Sequence, residues 1–261
     1  MGSERGDPDE RPVHPRRVAA FWITDVPISW TAFAAGLGWC APPDSLPDQS
    51  DPIARFDLHQ RNKIRMKYCE HRGQPAPASG VADAGAAARP QPRGAERYAA
   101  RPIVAVTIEE CERLAARLTT AAFRVALPTE AQWEKAARGG LVGKRFAWGD
   151  EPASPERCDF DHFGAFHIVE PRTLPPNGYG LHAMCGGVWE WTRDGYDALA
   201  YRQPGSSAAA PATRVLRGGS WSDCADACTV SYRMSRDADS RAPAPNIGFR
   251  LVREASPTDD R

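Results

Sequence analysis

Seven cysteines lie at positions 40, 69, 111, 158, 185, 224 and 228. An odd count at irregular spacing does not read as a disulfide framework, so reduced and mostly buried thiols are expected. Cys224 and Cys228 are the one close pair, spaced C-x3-C after Gly218-Gly219-Ser220-Trp221. Thiolate or redox chemistry competes there with two incidental or disulfide-forming thiols in a loop. Ser220 can cap a tight turn or hydrogen-bond at a reacting centre. The six histidines offer one local cluster, Asp161-His162 with His167, against the two histidines and a carboxylate that a non-haem iron needs; surface or capping roles fit them better. His59, Arg61, Lys63, Arg65, Lys67 and Tyr68 alternate with Ile64 and Met66, as in a solvated edge or a partner-binding lip.

The elements that must position these groups are short. The 261 residues carry 33 basic and 33 acidic side chains, which argues against a partner held by a strong overall field, such as nucleic acid or an anionic membrane. No apolar run is long enough for a membrane span, and Met1 to Arg17 has no apolar segment of a secretory signal, so a cytoplasmic location is expected. The 22 Gly, 24 Pro and 8 Trp suggest a loop-rich fold pinned by aromatic residues. Residues 1–17 read as a disordered tail, 18–253 as one domain, 73–100 as a flexible insertion within it, and 254–261 as a second tail.

Val18 to Thr24 and Ile103 to Val106 read as short strands. Ser29 can cap a helix whose Trp30, Phe33, Ala34 and Leu37 share a face. Thr107 with Glu110, and Thr129 with Gln132, form two capping boxes. The first opens a helix with Ile108, Cys111, Leu114, Ala115 and Leu118 inward. The second opens one with Trp133, Ala136 and Ala137 inward, ending at Gly139-Gly140. Beyond residue 141 no long helix is expected, only strands at Arg214 to Arg217, Thr229 to Met234 and Ile247 to Val252. Trp133, Trp148, Trp189, Trp191 and Trp221 are candidate core, and Arg233, Arg236, Arg241 and Arg250 candidate buttresses. The class is α+β with extensive irregular structure.

Three stretches go further: Arg124 to Gly140 (RVALPTEAQWEKAARGG), Asn177 to Thr192 (NGYGLHAMCGGVWEWT) and Arg214 to Val252 (RVLRGGSW…NIGFRLV). With Phe146-Ala-Trp-Gly149 and Pro102 to Val106, this set resembles the formylglycine-generating enzyme / sulfatase-modifying factor family from about Val18 to Arg253. The resemblance implies a single C-type-lectin-like domain. The family includes oxidases that convert a substrate-protein cysteine to formylglycine, domains of iron-dependent sulfoxide synthases, and retroelement-diversified ligand-binding proteins.

On this resemblance Cys224 and Cys228 would hold Cu(I), with Ser220 beside the reacting thiol of a cysteine-bearing protein or peptide partner. The family's oxidases space their cysteines C-x4-C, the first three residues after the serine. Alignment on Tyr232-Arg233 puts Cys224 at the first ligand; alignment on Ser220 puts Asp223 there and Cys228 at the second. The glycine loop Gly186 to Trp191 resembles a calcium site, with Glu190 as the carboxylate and Gly186 and Val188 as carbonyl donors. Ala183 stands where relatives carry Asp or Asn. A second calcium site would fall near Asp159 and Asp161. The alternative is a non-catalytic binding module whose ligand surface is 222–246.

Overall fold

The two capping boxes form as their spacing dictates. In the computed structural model, which describes residues 1–37, 100–162, 168–202, 212–238, 244 and 246–255, helix α1 spans Trp30–Leu37, α2 Ile108–Leu118 and α3 Glu130–Arg138. Thr107 Oγ1 accepts from Glu110 N at 3.3 Å while Glu110 Oε2 accepts from Thr107 N at 3.0 Å. Thr129 and Gln132 exchange the same bonds at 3.0 and 2.8 Å. Each box satisfies two amides that a helix start leaves without partners. Gly139, in the left-handed region at φ +54°, ends α3. Ser29 Oγ accepts from Ala32 N at 3.2 Å at the head of α1, and Trp30 and Phe33 are buried. The inward face of α2 stops at Ala115, and Leu118 is 45% exposed.

The strands build two sheets. Strands β1 (Phe21–Ile23) and β2 (Phe123–Ala126) flank β7 (Val252–Ala255), antiparallel on both sides. The second sheet has the order β5-β4-β3-β6, with β3 at Trp189–Gly195, β4 at Thr213–Arg217, β5 at Met234–Asp237 and β6 at Ile247–Phe249. Its β3–β6 pair is parallel and the others antiparallel. The α+β class expected from the sequence is the class observed.

Several boundaries differ from expectation, each for a visible reason. Strand β3 was not expected because Trp189, Glu190, Trp191 and Thr192 are all buried, so no polar alternation marks it. Ile103 to Val106 is buried but forms no strand: Ile103 N bonds Ile28 O, Ala105 N bonds Ala244 O, and Ala105 sits at φ +57°. Thr229 to Tyr232 does not extend into a ladder either. The Arg217 guanidinium takes the carbonyls of Val230 (2.9 Å), Ser231 and Tyr232 (2.7 Å), so β5 starts only at Met234. Ile247 to Val252 splits in two because Arg250 turns inward, carrying the chain from one sheet to the other.

The expected disorder of residues 1–17 is corrected as well. Gly2 N donates to Glu134 Oε1 at 2.8 Å, Arg233 Nη1 donates to Asp9 O at 3.1 Å, and Tyr196 donates its hydroxyl to Asp9 at 2.9 Å. Composition marks this segment as charged and Pro-rich, but cannot show that the body offers buried partners for those groups. The basic stretch 58–71, Cys40, Cys69, His167, Arg241, nearly all of the 73–100 insertion and the tail from 256 lie outside the described residues. Among the described residues, no helix is long and apolar enough to cross a membrane.

Candidate functional site

Strand β4 ends at Arg217 and the chain turns through Gly218 and Gly219, at φ +102° and +72°. A Cβ at Gly219 would lie 2.6 Å from Cys228 Sγ, so only glycine fits the approach. The turn delivers Ser220 into a polar cluster, with its side chain buried. Its hydroxyl donates to the Asp223 carboxylate, lies 3.1 Å from Ser222 Oγ, and accepts from Asn246 Nδ2 at 3.0 Å. Trp189 Nε1 donates to the same Asp223 oxygen at 2.9 Å. Asp223 is thereby held against Ser220 by Trp189 of β3, while Asn246, at the entry to β6, donates to the Ser220 and Ser222 hydroxyls.

The two nearby cysteines have different surroundings. Cys224 is exposed and Cys228 is fully buried, with the turn between them closed by Ala227 N to Cys224 O and Cys228 N to Ala225 O, both at 3.1 Å. Cys228 Sγ lies 3.8 Å from Ser220 O and shares one core cluster with Cys158 and Cys185. Cys158 donates its thiol to Cys185 O at 3.1 Å. The contact with the Cys228 thiol, then burial, pushes the Cys158 thiol far up, and burial pushes Cys185 up to about 12. Cys158 and Cys185 are therefore held as protonated thiols at neutral pH.

Glu190, on β3, is buried and fully engaged. Arg250 Nε donates to its two oxygens at 2.8 and 3.0 Å, and Trp133 Nε1 donates to Oε2 at 2.7 Å. Arg250 also donates to the carbonyls of Thr24 (3.0 Å), His182 and Ala183 (3.2 Å). Burial raises the Glu190 carboxyl against the pull of Arg250 and Trp133. On the other side of α3, Arg217 joins Glu134 at 2.6 Å, and Arg233 joins Glu130 at 2.7 Å. These ion pairs fix the 229–233 segment that directly follows Cys228.

The model of the sulfatase-modifying factor enzyme 1-like domain matches residues 1–255. The chain belongs to that family. It is 39% identical over 154 residues to a formylglycine-generating enzyme of Streptomyces coelicolor, covering 51% of this chain and 48% of that protein. It is also 39% identical over 142 residues to an inactive C-alpha-formylglycine-generating enzyme 2 of Bos taurus, covering 48% of this chain and 43% of that protein. The matched stretch thus spans about half the length of these curated relatives. The solved structure of PvdO from Pseudomonas aeruginosa superposes with a TM-score of 0.66 at 21% identity, over 97% of this chain and 90% of that one, and shows a shared fold.

Within this family frame, Asp223 stands beside Ser220, and Cys224 faces solvent. A hydrogen-bonded carboxylate is a hard donor and a poor match for Cu(I), and one exposed and one buried thiol do not make a shared pair. The residues at 224 and 228 therefore do not fit the copper pair expected of them. Calcium fits no better at Glu190. Both its oxygens are taken, and a buried guanidinium already supplies positive charge beside the carbonyls of His182 and Ala183. Gly186 N and Gly187 N are spent on Gly218 O and Asp159 O, and the Gly187 carbonyl accepts from Trp221 N. Near the second expected site, Asp159 accepts from Val169 N at 3.0 Å and lies 3.3 Å from His162 Nε2. Among the described residues, no group of three or more His, Cys, Asp or Glu is arranged to hold a metal.

Sequence reasoning missed Cys158, Asn246 and Arg217. Asn246 had a signal, since it opens the Asn-Ile-Gly-Phe-Arg stretch. Cys158 had none, because its partners arrive from segments far along the chain.

Proposed function

We propose that the chain acts on a protein or peptide partner as a formylglycine-generating-type oxidoreductase, using O2 to oxidise a partner cysteine to an aldehyde. The observation that supports this is the buried Cys228 thiol directly behind the Ser220–Asp223–Asn246 cluster. The identity shared with the Streptomyces coelicolor enzyme supports it at family level. In this reading the Asp223 carboxylate takes the Ser220 proton as a hydrogen bond, and Asn246 fixes the Ser220 oxygen. The oxygen's orientation is then set before a partner thiol arrives. The balance is one partner CH2–SH, one O2 and two external thiols going to one aldehyde, one sulfide, one disulfide and one water.

The test is aldehyde capture by a hydrazide after aerobic incubation of the Cu(I)-treated protein with a library of synthetic cysteine-bearing peptides and a thiol reductant. Capture that needs O2 and falls in Ser220→Ala supports the reading; no capture from any peptide overturns it. Asp223 at the first-ligand position favours a second reading, a binding module without oxidase chemistry. Peptides retained by the protein but left unoxidised would establish that reading in its place.

A further inference from the structure

The two outer strands of the first sheet end differently. On β2, Thr119 Oγ1 donates to Val125 O at 3.2 Å and accepts from Val125 N at 3.0 Å, and Thr120 N donates to Phe123 O at 3.0 Å. The residues that follow α2 thus close that edge. On β1, Thr24 N bonds Leu251 O and Trp22 lies opposite Arg253 in the same register. Trp22 therefore turns its amide and carbonyl to β7, while Phe21 and Ile23 turn theirs to the far side. Among the described residues, no hydrogen bond reaches those outward groups. Such an edge is a template for another strand. The face beside it is aromatic and basic. Trp22 is 61% exposed, and the Arg253 guanidinium lies 4.1 Å from its ring centroid and 5.1 Å from that of Phe123. These ring contacts restrict Arg253 without using its N–H donors, and among the described residues it forms no hydrogen bond or ion pair through its side chain. Its neighbour Glu254, on the opposite face, is engaged by Arg193 at 2.7 Å and Gln132 at 2.9 Å. Arg16 and Arg17, on the approach to β1, are exposed and form no ion pair among the described residues.

We propose that the open edge of β1, beside the Trp22–Arg253–Phe123 stack, docks an extended acidic segment of a partner protein as an added strand. Main-chain bonds to Phe21 and Ile23 set its register. The added strand lies about 4.8 Å beyond β1. Its outward carboxylates then fall next to Trp22, over whose ring the Arg253 guanidinium sits, and those further along meet Arg16 and Arg17. A guanidinium already restrained by aromatic rings loses less freedom on taking a carboxylate than a free one does. Charge selects the occupant. A second copy of this chain would bring its own arginines against these, and like charges oppose that pairing. A nucleic acid would satisfy the arginines, but it has no strand-spaced amides and carbonyls for Phe21 and Ile23. The surface shares no residue with the Ser220 cluster, so it stands whether the chain is an oxidase or a binding module.

The experiment uses the full chain and a short fluorescent peptide that alternates Glu with Val and Thr, followed by anisotropy. Saturable one-to-one binding is expected, weaker at high salt. It should fall by at least on the order of tenfold in Arg253→Glu and in Trp22→Ala, as loss of a charge-assisted contact implies. Arg5→Glu, the same charge change made near Asp150, should leave it unchanged. Circular dichroism establishes that the variants are folded. Two readouts need no variant. N-methylation of one alternate set of peptide amides should abolish binding and of the other set should spare it, because only one set faces β1. The bound peptide should also shield the exposed Trp22 indole from acrylamide quenching. Equal loss in Arg5→Glu, indifference to which amides are methylated, binding of a peptide with Lys for Glu, or no saturable binding would each overturn the docking edge. Tighter binding of a single-stranded oligonucleotide, or a dimer of the free protein that Trp22→Ala dissolves, would give the face to a nucleic acid or to a second copy and overturn it too. None of these readouts requires cysteine oxidation, so failure of the proposed function leaves the docking edge to be judged on its own.

Discussion

Arg250 holds Glu190 through its Nε, 2.8 and 3.0 Å from the two carboxylate oxygens, with neither side chain reaching water. The pair joins the bend between β6 and β7 to the centre of β3, and so links the two sheets. Arg250→Met leaves the buried Glu190 carboxylate to the Trp133 indole N–H. Breaking a buried pair from one side costs about 3–5 kcal/mol. Chemical denaturation of the variant should show that loss, and the unfolding midpoint of the wild type should be the same in calcium as in a chelator.

Stability should also fall in acid through Glu134. Burial raises its carboxyl, but Arg217 and then Arg138 outweigh burial and hold it below its usual 4.5. The folded state therefore gives up this proton more readily than the unfolded state. The stabilisation is complete above the unfolded value and lost as pH falls through the folded one. Glu190, raised by burial, slopes the opposite way, so the difference between wild type and Glu134→Gln isolates the effect. Urea midpoints from neutral to acid pH should converge for the two proteins at low pH; parallel curves would refute the assignment.

Gly219→Ala should be costly out of proportion to one methyl. The new Cβ would sit 2.6 Å from Cys228 Sγ and 2.7 Å from its Cα, at φ +72°. Overpacking of this kind costs about 1–3 kcal/mol, and strain at positive φ adds to it. Gly143→Ala, with φ +68° but nothing within 4 Å, is the control that carries the strain alone. The difference between the two unfolding free energies measures the collision.

Thr129→Ala removes one half of the second capping box. The loss should be about 1 kcal/mol, as for other cap deletions, with the amide of Gln132 left to water. Thermal unfolding followed by circular dichroism reads it directly.

What could be read in advance follows from how local each feature is. The boxes at Thr107 and Thr129 close within four residues, so they are visible in the sequence as they stand. The burial of Trp133, Trp189, Trp191 and Trp221 was legible from their size alone, whereas Trp148 is only half-buried. Strand β3 was hidden because both of its faces are covered. The site divides along the same line. Ser220 and its glycine turn are local, but Asp223 takes its meaning from Trp189, and Cys228 from Cys158. Arg217 reaches across to Glu134 and three carbonyls to stop a strand that β-propensity alone would have extended. Such long-range claims on backbone groups leave no periodic trace.

Strand β7 lies between β1 and β2 and bonds to both, although it is translated last of the seven. A nascent chain that has already made Phe21–Ile23 and Phe123–Ala126 holds two strands with no ladder between them. The first sheet is consequently closed by insertion of β7, a seam sealed only once that strand has been made rather than a hairpin grown outward from its start. Arg250 leaves the ribosome two residues before that strand, so the ion pair with Glu190 and the seam become available together.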